Sequence, residues 1–301
     1  MRAPRLLLAP LLLLVSAAAE PPLLLRDQSW TESADLAHAL THAPSECAAP
    51  ETMSDAALAG RALFRSPVLL GGPAARAGLS CNACHSNGRV NAQFLLPELT
   101  DRAGAADVTS EWSSRVRGDG VMNPVAIPDL AGVAQRTAFG HAREPSLEIF
   151  VRGVIVDEFQ GEAPTASLPL VLAYLRTLDQ TACSSTAAPV TLATAADDVR
   201  RGFAAAQSVE DWPTSSLILA AAQDGLGRIA ERLPPQAFQR ERQRIAALSR
   251  ELTAMRNGGP EALAVAAPGW RARFDAAVAR IARREHRTYF NEATLRAALG
   301  R

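Results

Sequence analysis

The segment from Gly78 to Asn91, GLSCNACHSNGRVN, constrains this chain more than any other, because two cysteines and a histidine lie close together in it. Two residues separate Cys81 from Cys84, and His85 follows directly. A C-x-x-C pair can serve as a redox-active dithiol, as half of a metal site or, with histidine next, as an attachment site for covalent haem. The neighbouring sequence distinguishes these three uses.

The residues around the motif favour covalent haem. A redox-active pair typically follows a strand of a βαβ unit, whereas GGPAARAGLS before Cys81 is rich in Gly and Ala. A structural zinc site needs four ligands, and no second pair of ligands follows at a suitable distance. In the haem interpretation, the thiols of Cys81 and Cys84 bond to one haem c, and His85 is the proximal ligand of its iron.

The N-terminus has the features of a secretory signal peptide. Arg2 and Arg5 precede a short apolar run, LLLAPLLLLVSAAA, and cleavage after about Ala19 is expected. The run is too short for a good membrane span. We therefore expect a mature chain that does not span the membrane and is periplasmic or otherwise exported, where disulfides persist.

The other two cysteines, Cys47 and Cys183, flank the haem motif at a distance. In an oxidising compartment two spare thiols most simply pair with each other, which would join the two ends of a haem domain. The alternative is that both remain unpaired and buried.

Apolar periodicity predicts an all-α fold. Alanine is abundant and aromatic residues make up only 5% of the 301 residues, a composition typical of closely packed helices. Helices are predicted after Ser54, after Pro145 and after Ser167, with Ser54 and Ser167 as N-caps. Residues 87–129 lack a lasting period, which predicts a loop that wraps a prosthetic group.

Residues 191–301 are wholly helical in pattern, with breaks at Pro234-Pro235 and at Gly258-Gly259-Pro260. These proportions predict four antiparallel helices and a short terminal helix capped by Asn291. The fold is therefore predicted as a cytochrome c-like haem domain followed by a C-terminal helical bundle. The predicted segments are a signal peptide (1–19), an N-terminal segment (20–50), the haem domain (51–185) and the helical bundle domain (191–301).

The charge balance argues against a nucleic-acid partner. The chain has 31 basic and 31 acidic residues, and neither the haem region nor the C-terminal region is basic enough to bind a polyanion. A chain with one haem and no visible acid–base machinery is instead expected to exchange electrons with a redox partner protein. The oligomeric state stays open.

Three segments resemble one haem domain of the bacterial di-haem cytochrome c peroxidases. They are ALAGRALFRSPVLLGGPAARAGLSCNACHSNGRVN, IPDLAGVAQRTAFGHAREPSLEIFVRGVI and LVLAYLRTL, within residues 54–180. The resemblance implies a cytochrome c fold, covalent haem c, Cys81 and Cys84 as thioether anchors and His85 as proximal ligand.

The chain departs from that family in two respects. It contains one C-x-x-C-H motif, whereas the family has one in each of two domains, and VRGVIVDEFQG lacks the methionine that follows the corresponding helix. The first hypothesis is therefore a mono-haem cytochrome that transfers single electrons. The alternative is a peroxidase-like enzyme that reduces hydrogen peroxide at the iron with electrons from a partner.

The sixth ligand of the iron has several candidates. Met122, in GDGVMNPVAIP, lies on a segment expected to pass over the haem and is our prediction; a plain apolar role in the loop is the alternative. His141 occupies the position of a family histidine, but an exposed loop position is expected. His38 and His42 are spaced to share a helical face, and without a third ligand nearby they are predicted to be solvated.

Overall fold

The computed structural model describes residues 25–48, 52–140, 142–184 and 186–300. It is mostly helical, with 60% helix and 4% strand, in agreement with the predicted all-α class. The helices are α1 (Leu36–Thr41), α2 (Asp55–Phe64), α3 (Pro67–Leu70), α4 (Gly72–Ala77), α5 (Cys81–Cys84), α6 (Leu147–Gly153), α7 (Ser167–Leu175), α8 (Leu192–Ser208), α9 (Trp212–Glu231), α10 (Pro235–Ala282) and α11 (Glu292–Leu299). The strands are β1 (His42–Ala43), β2 (Ala105–Ala106), β3 (Val125–Ala126) and β4 (Ala188–Pro189).

Helices α2 and α7 cross at very close range. Ser54 caps α2 as predicted, since its hydroxyl oxygen accepts a hydrogen bond from the Ala57 amide at 3.2 Å. Gly60 permits the crossing, because a Cβ atom there would lie 1.8 Å from the carbonyl oxygen of Leu170. The absence of a side chain at this position is thus a condition of the packing.

The predicted cap of α7 is wrong by one residue. Ser167 is the first residue of the helix, and Ala166 occupies the cap position without a side-chain hydrogen bond. The Ser167 side chain is buried instead, and its hydroxyl lies 3.4 Å from that of Thr214 in α9. Tertiary packing therefore uses the polar group that the sequence pattern assigned to a local cap.

The long segment predicted as a loop has little regular structure. Its only strands among the described residues are β2 and β3, which pair antiparallel with Ala105 opposite Ala126. This pairing returns residues after Val125 toward the C-x-x-C-H segment, and the Leu130 amide donates to the carbonyl of Gly88 at 2.9 Å.

The C-terminal region forms four antiparallel helical segments. Helix α10 begins at Pro235 and reverses direction at Gly259, whose φ of 83° is in the left-handed region that favours glycine. The parts of α10 before and after Gly259 pack side by side. A hydrogen bond joins them, from the indole of Trp270 to the carbonyl of Leu248 at 3.1 Å. With α8 and α9 this makes the predicted four helices, and Asn291 caps the short α11 as predicted.

One hydrophobic cluster extends over both residues 51–185 and residues 191–301. Its largest fully buried members include Tyr174 in the first segment and Trp270, Phe203 and Phe274 in the second. Strand β4 lies between the two segments and pairs with β1. The two segments thus share a continuous apolar core.

The predicted pairing of Cys47 and Cys183 is confirmed, since a disulfide joins the two residues. Cys47 is fully buried, and its carbonyl accepts a hydrogen bond from the Asp179 amide at 2.9 Å. The bridge therefore holds the N-terminal segment against the segment that follows α7.

No helix among the described residues combines the length and the apolar character needed to cross a membrane. The predicted signal peptide, residues 1–19, lies outside the described residues.

Candidate functional site

The C-x-x-C-H segment begins with a single helical turn. Gly78 ends α4 in the left-handed conformation, and Ser80 then adopts an extended conformation that directs the chain into α5. Cys81 and Cys84 are the first and last residues of this helix. The amide of His85 closes the turn by donating to the Cys81 carbonyl at 2.8 Å. Both thiols and the imidazole are therefore held in one compact unit.

The two thiols are free and protonated at neutral pH. Neither Cys81 nor Cys84 is in a disulfide, and both are half-buried. Burial raises the pKa of each thiol to about 12, and the neighbouring Cys81 also contributes at Cys84. A redox-active dithiol needs the opposite, a thiol pKa lowered toward neutrality by nearby positive charge or a helix N-terminus. The raised pKa of both thiols thus favours the other uses of the motif.

One hydrogen bond orients the imidazole of His85. Its Nδ1 lies 3.0 Å from the carbonyl oxygen of Pro128, and because a carbonyl only accepts, Nδ1 carries the proton. In the neutral ring the lone pair is then on Nε2. Burial lowers the pKa of His85 to about 4, so the ring is neutral at pH 7. A neutral imidazole with a fixed tautomer is the form that binds metal.

The segment that follows His85 is held by side-chain amides. The Asn91 side-chain amide donates to the carbonyl of Ala83 at 2.8 Å. The backbone amide of Asn91 donates to the carbonyl of Cys84 at 2.9 Å. Asn87 has a φ of 55°, and its amide donates to the side chain of Asn82 at 2.9 Å. These contacts wrap the loop closely around α5.

A zinc site at the motif is not supported by the ligand geometry. Within the part of the chain that the structure describes, Cys81, Cys84 and His85 belong to no group of three ligand atoms that converge on a common point. A zinc site needs at least three protein ligands even when water takes the fourth position.

The predicted axial ligand, Met122, lies in the loop that precedes Pro128. Its side chain is 48% exposed, and the neighbouring Asn123 amide donates to Asp107 at 3.1 Å. Val116, Val121 and Val125 in the same loop are also exposed, which makes it unusually apolar for a surface segment. Coordination by Met122 stays a prediction, and His141 lies outside the described residues.

Two features escaped the sequence analysis, and only the first of them contacts the C-x-x-C-H segment. The carbonyl of Pro128 has no side-chain signature, so only the folded structure reveals its contact with His85. Glu158 is buried in a π-helical turn, Val154–Glu158, and burial raises its pKa. Its Oε1 accepts from Arg117 at 2.8 Å, whereas Oε2 has no hydrogen-bond partner among the described residues. The available signal was weak, because Glu158 follows the apolar run Val154–Val156 but is adjacent to a second acidic residue, Asp157.

Comparisons of the chain with models of known protein families, with curated proteins and with solved structures found no match. The chemistry of the site is therefore inferred from its own residues.

Proposed function

We propose that this chain is an exported mono-haem c-type cytochrome that transfers single electrons to or from a redox partner protein. The observation that carries the proposal is the arrangement of His85, whose Nδ1 donates to the Pro128 carbonyl next to two free thiols on one helical turn. In this proposal, residues 51–185 form a cytochrome c-like haem domain that carries one covalent haem c.

The donor set fits haem c. Two thiols at the ends of one helical turn match the two thioether bonds that the C-x-x-C-H motif makes. Since Nδ1 of His85 is committed to Pro128, Nε2 is the atom available to the iron. The exposed apolar side chains of residues 116–125 add surface that an apolar ring system would cover.

Bound haem c supplies one-electron chemistry, because its iron changes between Fe(III) and Fe(II). Cys81 and Cys84 keep the ring attached throughout, so the cofactor cannot dissociate. His85 supplies an imidazole in one tautomer, and the hydrogen bond to Pro128 makes that imidazole a stronger donor. Apolar surroundings exclude water and thereby set the reduction potential.

Peroxide reduction is the second candidate function, and Glu158 favours it. A buried carboxyl with a raised pKa and one unpartnered oxygen would be suited to proton transfer if the bound haem extended to it, and an electron carrier does not need such a group. The resemblance of residues 54–180 to peroxidase haem domains agrees with this alternative.

Spectroscopy of the purified, exported protein tests the proposal. We expect a c-type haem spectrum with one haem per chain, and pigment that stays with the protein in acidified acetone. The double variant Cys81→Ala/Cys84→Ala should lose covalent pigment entirely. As the matched control, Cys47→Ser/Cys183→Ser removes the two cysteines of the disulfide outside the motif, and the protein should keep its covalent pigment. Colourless wild-type protein, or pigment extracted by acid, contradicts the proposal.

Peroxide addition separates the two functions. An electron carrier should show a six-coordinate spectrum that changes little with hydrogen peroxide in either oxidation state. Rapid turnover of peroxide that falls at least about tenfold in Glu158→Gln would favour the enzyme instead, since general acid–base groups contribute factors of that order or more.

A further inference from the structure

A second group of polar side chains joins the two ends of the described chain. His38 lies in α1, His42 directly follows α1 as its C-cap residue, and Glu292 is the first residue of α11. The two imidazole rings stack, with centroids 4.0 Å apart. Oε2 of Glu292 lies 3.2 Å from Nδ1 of His38 and 3.8 Å from Nδ1 of His42.

Backbone and charged contacts hold these side chains in place. Asp35 caps α1 by accepting from the His38 amide at 3.1 Å. Arg296 then connects the two helices, since its guanidinium donates to Asp35 at 2.8 Å and to Oε1 of Glu292 at 2.6 Å. With Oε1 engaged by Arg296, Oε2 is the oxygen that faces the two imidazoles.

The chemistry of the group matches a transition-metal site. Its ligand atoms, two imidazole nitrogens and one carboxylate oxygen, all lie within 4.8 Å of one another. Two histidines and one carboxylate are a common zinc donor set, with water in the remaining position. Within the described residues, no other histidine, cysteine, aspartate and glutamate side chains form such a group.

The local charge also favours a cation. Asp35 and Glu292 are two carboxylates against the single guanidinium of Arg296, so with neutral imidazoles the cluster has a net negative charge. A bound divalent ion would offset that charge and leave the contact between Arg296 and Oε1 of Glu292 in place. It would replace the present hydrogen bond between Oε2 of Glu292 and Nδ1 of His38.

We propose that His38, His42 and Glu292 bind one zinc ion. Two atoms bound tetrahedrally to one zinc ion at about 2.0–2.2 Å lie roughly 3.3–3.6 Å apart. The separations of 3.2 Å and 3.8 Å between Oε2 of Glu292 and the two Nδ1 atoms are close to that range, so small side-chain rotations suffice. The ion would fasten α1 to α11, which already share a small apolar cluster that includes Leu40 and Leu295. It would therefore act as a clip between the N-terminal segment and the C-terminal helix.

Zinc titration of the full, tag-free holoprotein tests this proposal. After treatment with a chelator, we expect one equivalent of zinc to bind in competition with a chromogenic indicator, and Tm to rise on binding. His42→Gln and Glu292→Gln should each weaken affinity at least about tenfold, because even outer partners of a metal contribute that much. The rise in Tm should disappear in the same variants.

The control is His286→Gln, which removes an exposed histidine that is outside the cluster. This variant should bind zinc as the wild type does. X-ray absorption at the zinc edge should show nitrogen and oxygen ligands at about 2.0–2.2 Å, including two imidazoles, and no sulfur. Sulfur ligation would place the ion at Cys81 and Cys84 and overturn the proposal. So would undetectable binding, or full affinity in the double variant His42→Gln/Glu292→Gln.

Discussion

At the scale of single residues, a side chain's chemistry here depends on its partner more than on its type. The chain has five histidines, and the four that the structure describes differ in their surroundings. His85 meets a backbone carbonyl through Nδ1, which directs Nε2 away from it and leaves that atom free to bind. The Nδ1 atoms of His38 and His42 lie near the carboxylate of Glu292, which is at the other end of the described chain. His286 is exposed.

Glu46 shows how a charged group can be stable inside the protein. Nε of Arg61 donates to both carboxylate oxygens of Glu46, at 2.9 and 3.0 Å. The Tyr174 hydroxyl donates to Oε1 of Glu46 at 2.6 Å. Burial alone would raise the pKa of Glu46, but the charges of Arg65 and Arg61 outweigh burial and lower it to about 2, from an ordinary value of 4.5. The ionised carboxylate therefore stabilises the fold.

The pKa of Glu46 predicts a pH dependence of stability. A lowered carboxyl pKa contributes stability that is complete above pH 4.5 and is lost as the pH falls toward 2. The shift corresponds to about 3 kcal/mol, so Glu46→Gln should lower the free energy of unfolding by about that much at pH 7. Denaturant unfolding at several pH values measures this difference, which should shrink between pH 4.5 and 2.

The exposed Glu148 on α6 provides a control, because Glu148→Gln should leave the unfolding free energy nearly unchanged at every pH. If Glu46→Gln lowers the free energy of unfolding by the same amount at every pH down to 2, the ionised form of Glu46 is not the source of the stabilisation.

At the scale of elements, the contact between α2 and α7 depends on the absence of one side chain. Gly60→Ala would place a Cβ atom 1.8 Å from the Leu170 carbonyl oxygen, so the helices must move apart. We expect a loss of at least about 1–3 kcal/mol in the free energy of unfolding, the range for overpacked cores. Chemical denaturation of the two proteins measures it.

Gly202 in α8 is the matched control. A Cβ atom there would meet the Cβ of Ala62 at 3.5 Å, an ordinary van der Waals contact. Because alanine has the higher helix propensity, Gly202→Ala should be stabilising by up to about 1 kcal/mol. Equal effects of the two substitutions would refute the role assigned to the close crossing.

At the scale of the whole molecule, residues 51–185 and the C-terminal bundle are joined by charge as well as by apolar packing. Arg61 of α2 binds Asp198 of α8 at 2.5 Å while it also holds Glu46. Arg65 of the same region donates to Asn87, which follows the C-x-x-C-H segment, at 2.6 Å. The buried network thus extends from the bundle to the edge of the candidate site.

The disulfide adds a covalent constraint to this network. Cys47 and Cys183 are 136 residues apart. In the chain-entropy account, a disulfide that closes a loop of that length lowers the entropy of the unfolded chain and so stabilises the folded protein by about 4–5 kcal/mol. Cys47→Ser/Cys183→Ser should lower the free energy of unfolding by about that amount. Equilibrium unfolding under non-reducing conditions measures the loss, and reducing agent should change wild-type stability but not that of the variant. An unchanged free energy of unfolding in the double variant would contradict this prediction.

The sequence by itself determined the features that depend on neighbours along the chain. The spacing of Cys81, Cys84 and His85, the cap at Ser54 and the reversal at Gly259 follow from local geometry and propensity. The disulfide was also predictable, because only two cysteines remained outside the motif.

Only the tertiary structure decided which distant groups meet. Pro128 reaches His85 through a backbone carbonyl, which every residue has and no sequence pattern marks. Glu292 reaches His38 from the opposite end of the chain, although local spacing alone predicted a solvated face there. Ser167 is buried against α9 instead of capping its helix. Such contacts follow from how the apolar faces pack, and that packing depends on the whole chain at once.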